Sequence, residues 1–484
     1  MSLSVPGGVL IGGEWRRTGS TRPIASPFDG TVVAEVSDAG LDDVDAAVAA
    51  AESGFAATRR QPAHTRADVL RRVADMLAAR AAEFVDTIVA EAGKPRRYAA
   101  TEVQRAVQTL RFSAEEAKRL HGETVPMDAV QGSENRRGWF IRQPLGVIAA
   151  IGPFNFPLNL VCHKVGPALA AGNSVVLKPA SATPLCALKL GELFLEAGLP
   201  AGALNVIPGR GSTVGMALVQ NARVQMVTFT GSAAVGEEIH ANSGLKRISL
   251  ELGSNSGAIV DETCDLDVAL GRCLVGGFAF SGQVCIHTQR LYLHESIADE
   301  FTDRFVSGAQ RLTCGDPMLE STEIGPMIDR DALDRGLSLV AEARSSGAQI
   351  LCGGEADGHV MLPTVVSSVE PDMKVVCEEA FAPVVTIETF ADFDQAIDKF
   401  NRGSTAGIYA YGLAAGVFTH NVNRALRAAE GLQAGNVYIN DSATFRADHQ
   451  PYGGIRDSGV GREGPRFAIE EMTDIKMVSF NLDS

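Results

Sequence analysis

The chain is poor in the features that announce metal, membrane or nucleic-acid chemistry. Its eight cysteines (Cys162, Cys186, Cys264, Cys273, Cys285, Cys314, Cys352 and Cys377) are scattered over 484 residues with no Cys-x-x-Cys pair. Neither a zinc site nor a dense disulfide framework is indicated, and a reduced, cytoplasmic setting fits best. No apolar run reaches the ~18 residues that suggest a membrane span. The first residues lack the charged start and long apolar stretch of a secretion signal. The net charge of −15 argues against a nucleic-acid partner, whose phosphates need a basic face. It leaves room for a local basic pocket. No Walker-type phosphate loop, His-Glu-x-x-His pair or Gly-x-Ser-x-Gly elbow is present. The usual dinucleotide fingerprint is also missing. Gly209-Arg-Gly-Ser-Thr-Val-Gly215 has one residue too many, and Gly231-Ser-Ala-Ala-Val-Gly236 follows a predicted strand. Each reads equally as a tight turn or as a phosphate cradle, and position at a helix N-terminus favours the cradle.

What is present is an ordinary globular balance, 45% hydrophobic and 21% charged, on a chain long enough for two or three domains. Short strands and turns are expected to about Pro27, then helices from Asp42 to about Leu120. Val69, Val73, Leu77 and Ala81 recur at spacings of four, as one buried helix face would, and Gly93-Lys-Pro95 punctuates two helices. From Leu145 the texture changes to alternating strands and helices. Strands are predicted at 145–151, 174–178, 204–207, 224–229 and 247–250, and helices at 158–171, from Pro184, at 211–220 and at 233–241. That alternation predicts parallel βαβ units in a doubly wound sheet. A second α/β region runs from about Gly257 to Gly435. At the C-terminus, Val478, Phe480 and Leu482 alternate with polar residues, predicting a half-exposed strand for its own sheet or a subunit interface.

Four segments place reactive side chains among small residues or turns: Pro153-Phe-Asn-Phe-Pro157, Glu251-Leu-Gly-Ser-Asn-Ser256, Phe280-Ser-Gly-Gln-Val-Cys285 and Glu378-Glu-Ala-Phe-Ala-Pro383. In open α/β sheets ligands gather outside the carboxyl ends of strands. Each segment also has a plainer reading. An isolated cysteine is usually a small buried hydrophobe. Asn155 turns the chain between two prolines, Glu251 is a solvated strand-end carboxylate, Lys178 a snorkelling lysine, and Glu378-Glu379 a solvated pair.

In this order and spacing the four segments resemble the aldehyde dehydrogenase superfamily. The resemblance runs from Ile11-Gly-Gly-Glu-Trp15 to Pro451-Tyr-Gly-Gly-Ile-Arg-Asp-Ser-Gly-Val-Gly-Arg-Glu-Gly464. It implies a Rossmann-like cofactor domain (1–122 and 143–250), an α/β catalytic domain (251–440) and a small β oligomerisation flap (123–142 and 465–484). It implies a homodimer or homotetramer. Cys285 takes the nucleophile's position, Asn155 the oxyanion donor's and Glu251 the general base's. Members that pass the acyl group to coenzyme A typically lack this Glu, so hydrolysis to a free acid is implied. Lys178 matches the lysine on the adenosine ribose, Ser232 a pyrophosphate contact and Glu379 the carboxylate on the nicotinamide ribose. Phe154, Gly231, Leu252 and Phe381 line the same cofactor site. Many members carry Trp at Phe154 and Gly at Ala382. NAD-preferring members often place Glu at Ser181, so acceptance of NADP as well as NAD is expected.

Arg105, His163 and Arg446 resemble the walls of the family's aldehyde tunnel. Two arginines and a histidine suit an anionic aldehyde. Candidates are phosphonoacetaldehyde, glyceraldehyde 3-phosphate, sulfoacetaldehyde and succinate semialdehyde, with lactaldehyde as the neutral alternative. The plainer reading has both arginines facing solvent and pairing with acids such as Glu102 or Asp448. Two other classes compete. A cofactor-free cysteine hydrolase needs a base near Cys285, and His287 is close in sequence on a predicted strand. A non-catalytic scaffold is disfavoured because Cys285, Asn155 and Glu251 are all present.

Overall fold

The apolar run Val147–Ile151 has two faces, and both are covered. Ile148 and Ala150 belong to one hydrophobic cluster, while Val147, Ala149 and Ile151 belong to another. A strand buried on both sides has no polar alternation to show, which is why the run reads as continuous. The computed structural model describes residues 3–483. In it this strand lies near the middle of an eight-stranded sheet. Its parallel core runs Leu204–Val206, Ser174–Lys178, Val147–Ile151, Val224–Thr230 and Arg247–Glu251. Antiparallel strands flank this core, Val9–Ile11 and then Glu14–Arg16 at one edge and Gly459–Val460 at the other. The fold is mixed α/β with parallel sheets.

A second sheet of seven strands follows the order Gln349–Cys352, Thr364–Ser367, Val384–Phe390, Arg290–His294, Gly257–Val260, Ala414–Phe418 and Asn436–Ile439. All its pairs are parallel except the first. A third, antiparallel sheet joins the C-terminal strand Thr473–Asn481 to Arg136–Pro144 and Glu123–Val125. Among the described residues, no helix is long and apolar enough to cross a membrane.

Several local expectations change. Val69, Val73 and Leu77 are buried on the helix Ala63–Ala79, but Ala81 opens the next helix, Ala81–Ala92. The break falls at Arg80, whose backbone (φ −101°, ψ 20°) leaves the helical region and serves as the end of one helix and the start of the next. The stretch Gly211–Gly215 is a π-turn, and α-helix begins only at Met216. The alternation at the C-terminus does not mark a buried face. Ile475 and Met477 are as open as Phe480, and Leu482 lies beyond the strand. Phe480 stacks on Trp139 with ring centroids 5.2 Å apart. His287 is in a loop rather than on a strand, because the chain turns sharply before the strand Arg290–His294.

The sheet registers position the site. Ile151 pairs with Lys178, Phe229 with Ile151, and Thr230 with Glu251. Lys178, Asn155, Ser232 and Glu251 therefore leave one carboxyl edge side by side. The second sheet faces this edge with its amino ends: Cys285 precedes the strand Arg290–His294, and Glu379 precedes Val384–Phe390.

Candidate active site

Cys285 reaches its place through a distorted loop. Phe280 and Ser281 both have left-handed backbone, and Gly282 follows at φ +69°. Any Cβ at Gly282 collides with the Ala382 carbonyl, so only glycine lets the two loops touch. The Ser281 hydroxyl donates to the Gly325 carbonyl at 2.8 Å, and the Gln283 side-chain carbonyl accepts from Ile328 N at 2.9 Å. These bonds fix the loop from below. Burial pushes the Cys285 thiol up to about 11, and the Tyr452 hydroxyl and the Arg446 guanidinium act in the opposite sense. Cys162, Cys186 and Cys273 are fully buried inside helices and are pushed higher still. Cys264 and Cys314 are only half-buried, unlike the usual isolated cysteine.

A cavity of about 540 Å³ opens between the two sheets at Cys285. Its walls bring together Phe154, Asn155, Gly231, Ser232, Leu252, Glu379 and Phe381 with the cysteine. Glu251, Lys178 and Ser181 are not part of that lining. Phe154 and Phe381 meet edge to face at 5.7 Å. Glu379 Oε1 accepts from Ser254 N at 2.9 Å, and burial raises its carboxyl to about 7. A Cβ at Gly253 would run into that carboxylate, so the cradle beside Glu379 exists only because of the glycine. Ser232 caps the helix Ala233–Asn242, its Oγ accepting from Val235 N at 3.4 Å. The helix N-terminus thus opens toward the cavity, as a pyrophosphate requires. Lys178 is buried rather than snorkelling. Its Nζ donates to the Pro179 carbonyl at 2.9 Å, and burial, then Arg22, lower it to about 8. Ser181 Oγ donates to the Gly209 carbonyl at 3.0 Å, and Arg22 donates to the Ser181 carbonyl. Apolar walls, a glycine cradle, a helix N-terminus and a carboxylate at the far side fit a nicotinamide dinucleotide.

Asn155 is buried, and its Nδ2 donates to the Gln283 carbonyl at 2.9 Å. One N–H therefore ties the two loops together, and among the described residues this is the one hydrogen bond that Nδ2 donates. Glu251 is buried with neither carboxylate oxygen hydrogen-bonded. Burial, reinforced by Glu463, pushes it well above the usual carboxylate range.

The side of Cys285 away from the cavity is ionic. Arg105 forks onto Asp448 with distances of 3.0 and 2.8 Å. His163 Nε2 lies 3.0 Å from Asp448 Oδ1 and 3.2 Å from Arg446 Nη2. Burial, then Arg446, push the imidazole toward its neutral form. Arg446 donates to Glu463 Oε2 at 2.9 Å, and Lys164 reaches Glu463 Oε1 at 3.1 Å. Arg446 does not face solvent: its side chain is 5% exposed. Its guanidinium lies 3.7 Å from the centre of the Tyr452 ring, and its Nε has no partner. Arg105 does pair with Asp448, whereas Glu102 pairs with Lys94 instead. Asp448 was named from the sequence only as an ion-pair partner for the arginines; Glu463, Lys164 and Tyr452 were not singled out. Glu463 and Tyr452 sit inside the glycine-rich segment that carried the resemblance. His287 is not placed as a base for Cys285: its Nε2 donates to the Gly277 carbonyl at 2.8 Å, and its Nδ1, which keeps the lone pair, has no hydrogen-bond partner and so does not meet the thiol.

Known proteins resemble the chain over nearly its whole length. The aldehyde dehydrogenase family profile matches residues 15–478. The chain is 46% identical over 475 residues to a 3-sulfolactaldehyde dehydrogenase of Priestia aryabhattai, covering 98% of each chain. Aldehyde dehydrogenase 21 of Physcomitrella patens, solved with the product succinate, superposes with a TM-score of 0.95 at 37% identity and 98% coverage of both chains. An NADP-dependent glyceraldehyde-3-phosphate dehydrogenase of Bacillus halodurans, solved with NADP, gives 0.94 at 34% identity, covering 99% of this chain and 100% of that one. The chain belongs to the aldehyde dehydrogenase family and is an NAD(P)-dependent enzyme that oxidises an aldehyde.

Proposed function

We propose that the substrate is a small aldehyde carrying a sulfonate, carboxylate or phosphate group, oxidised to the free acid. The observation that carries this reading is Arg446: buried, stacked on Tyr452 beside Cys285, with an unpartnered Nε. A buried donor without a partner is costly, and an anionic ligand satisfies it. The surrounding balance agrees. Arg105, Arg446 and Lys164 face Asp448, Glu463 and, close enough to feel Arg446 and Lys164, Glu251; burial holds the Glu251 carboxyl toward its neutral form, and in that form the cluster keeps an excess of positive charge. The relatives' own substrates and products point the same way, being a sulfonated aldehyde, succinate and a phosphorylated aldehyde.

In this reading Cys285 Sγ, as thiolate, attacks the carbonyl carbon. The second N–H of Asn155 receives the oxyanion that develops. Glu379, Ser232 and Lys178 would hold NAD(P) between the walls Phe154, Gly231, Leu252 and Phe381, and the cofactor would supply the hydride acceptor. Glu251, once deprotonated, takes a proton from the water that hydrolyses the Cys285 thioester. Ser181 places no carboxylate against a 2′-phosphate, and Lys178 and Arg22 lie nearby, so NADP is accepted. The exposed apolar residues Ile141, Ile475, Met477 and Phe480 of the third sheet favour assembly of subunits through it.

A panel read by reduced-nicotinamide absorbance tests the substrate. It comprises 3-sulfolactaldehyde, sulfoacetaldehyde, succinate semialdehyde, phosphonoacetaldehyde, glyceraldehyde 3-phosphate and neutral lactaldehyde. The expected result is an anionic aldehyde ahead of lactaldehyde by about 100-fold in kcat/KM, the scale of one buried charged contact. Equal or better turnover of the neutral aldehyde sinks the proposal.

A further inference from the structure

Tyr452 belongs to neither the cofactor cavity nor the ring of ion pairs, yet it touches the sulfur. Its hydroxyl lies 3.3 Å from Cys285 Sγ. Among the described residues this is the only side-chain hydrogen bond that either group makes. No other cysteine in the described chain meets a hydroxyl: Cys314, Cys352 and Cys377 point their thiols at backbone carbonyls.

The hydroxyl's position is fixed by three independent restraints. Tyr452 and Glu463 exchange backbone hydrogen bonds in both directions, at 3.1 and 2.7 Å. The Glu463 carboxylate holds Arg446, and the Arg446 guanidinium covers the Tyr452 ring. The ring is also fully buried, packed with Ile286, Leu413, Ala414 and Ala443. A side chain held by its backbone, its ring face and its packing has little freedom to swing away from the sulfur. The orientation has a chemical sense as well. Glu251 and Glu379 both disfavour a negative sulfur, while Arg446 favours one. Among the described residues, only the Tyr452 hydroxyl offers a hydrogen bond directly to Sγ.

We propose that Tyr452 is a catalytic residue whose hydroxyl donates to the Cys285 thiolate, stabilising the nucleophile and aiming it at the substrate carbonyl. This rests on Cys285 being the nucleophile. Tyr452 gives up no proton. Burial keeps its hydroxyl protonated well beyond the ordinary phenol range. The thiol proton leaves to solvent or to a carboxylate, and the hydroxyl turns its hydrogen toward the sulfur that remains.

The test is the pH profile of iodoacetamide alkylation of Cys285, followed by mass spectrometry in the unliganded enzyme. In Tyr452→Phe the midpoint is expected to rise by about one pH unit, the worth of one charge-assisted hydrogen bond. Alkylation at neutral pH should fall about tenfold, with cofactor affinity unchanged and kcat lowered. A second variant with 3-fluorotyrosine at position 452 keeps the packing and makes a stronger donor, so its midpoint should move below the wild type. Profiles of both variants that overlay the wild type overturn the inference. Cys285→Ala separates the two readings: dehydrogenase activity that survives it removes the nucleophile assignment, whereas the alkylation profiles bear on the Tyr452–Cys285 hydrogen bond alone.

Discussion

The two sides of Cys285 are built on opposite principles. On the cofactor side, aromatic and aliphatic walls enclose a cavity with one carboxylate, Glu379, and backbone N–H groups at a helix start. On the other side, Arg105, His163, Arg446, Asp448, Glu463 and Lys164 form a continuous charged network. The apolar side suits a large planar ligand recognised mainly by shape. The ionic side suits a small ligand recognised by charge. A neutral aldehyde would gain little from a wall that already satisfies most of its own charges. An anion gains the excess positive charge and the free Arg446 Nε.

Removing the group at the junction should have the largest effect. Cys285→Ala is expected to lower kcat by about 10⁴-fold or more while cofactor affinity, measured by fluorescence titration, stays intact. Asn155→Ala should cost about 10²–10³ in kcat, the usual loss for one oxyanion donor, with KM little changed. Arg446→Met sharpens the contrast between the two sides. It should lower kcat/KM for an anionic aldehyde by about 2–4 kcal/mol and affect a neutral one much less; equal losses for both would erase the distinction. Ser181→Glu acts only on the cofactor side. It should lower kcat/KM with NADP by about tenfold and leave NAD nearly unaffected, as one nearby like charge would.

The smallest expected effect is on acid stability. His163 and Arg105 hold Asp448 well below the usual carboxylate range even though burial opposes them. A carboxyl whose folded pKa lies below its unfolded value stabilises the protein above that unfolded value, ~3.9. The contribution is lost as pH falls through the folded value. Thermal melts from pH 6 down to pH 3 should therefore show a steeper acid decline for the wild type than for Asp448→Asn, which is expected to be less stable at pH 6.

Much of the fold was legible because parallel strands covered on both faces leave long apolar runs, and the helices between them begin at recognisable turns. The strands at Val147–Ile151, Ser174–Lys178 and Arg247–Glu251 lie within a residue or two of where the sequence put them. Helix continuity was less legible. Spacing alone cannot see that the backbone at Arg80 leaves the helical region and a second helix begins there. Exposure at the C-terminus was not legible either, since alternation signals a covered face only when something covers it.

The sequence by itself determined the family, the α/β architecture and the order of reactive segments, because glycines and strand ends must recur where backbone approaches a ligand. It named Cys285, Asn155 and Glu251 but could not say what surrounds them. Only the tertiary structure decided that Arg105 is paired, that Arg446 is buried with an open Nε, and that Tyr452 meets the cysteine. Those facts depend on contacts between residues more than 160 positions apart, such as Cys285 with Tyr452 or His163 with Arg446. No local pattern encodes such contacts; they exist only once the carboxyl edge of one sheet closes on the amino edge of the other.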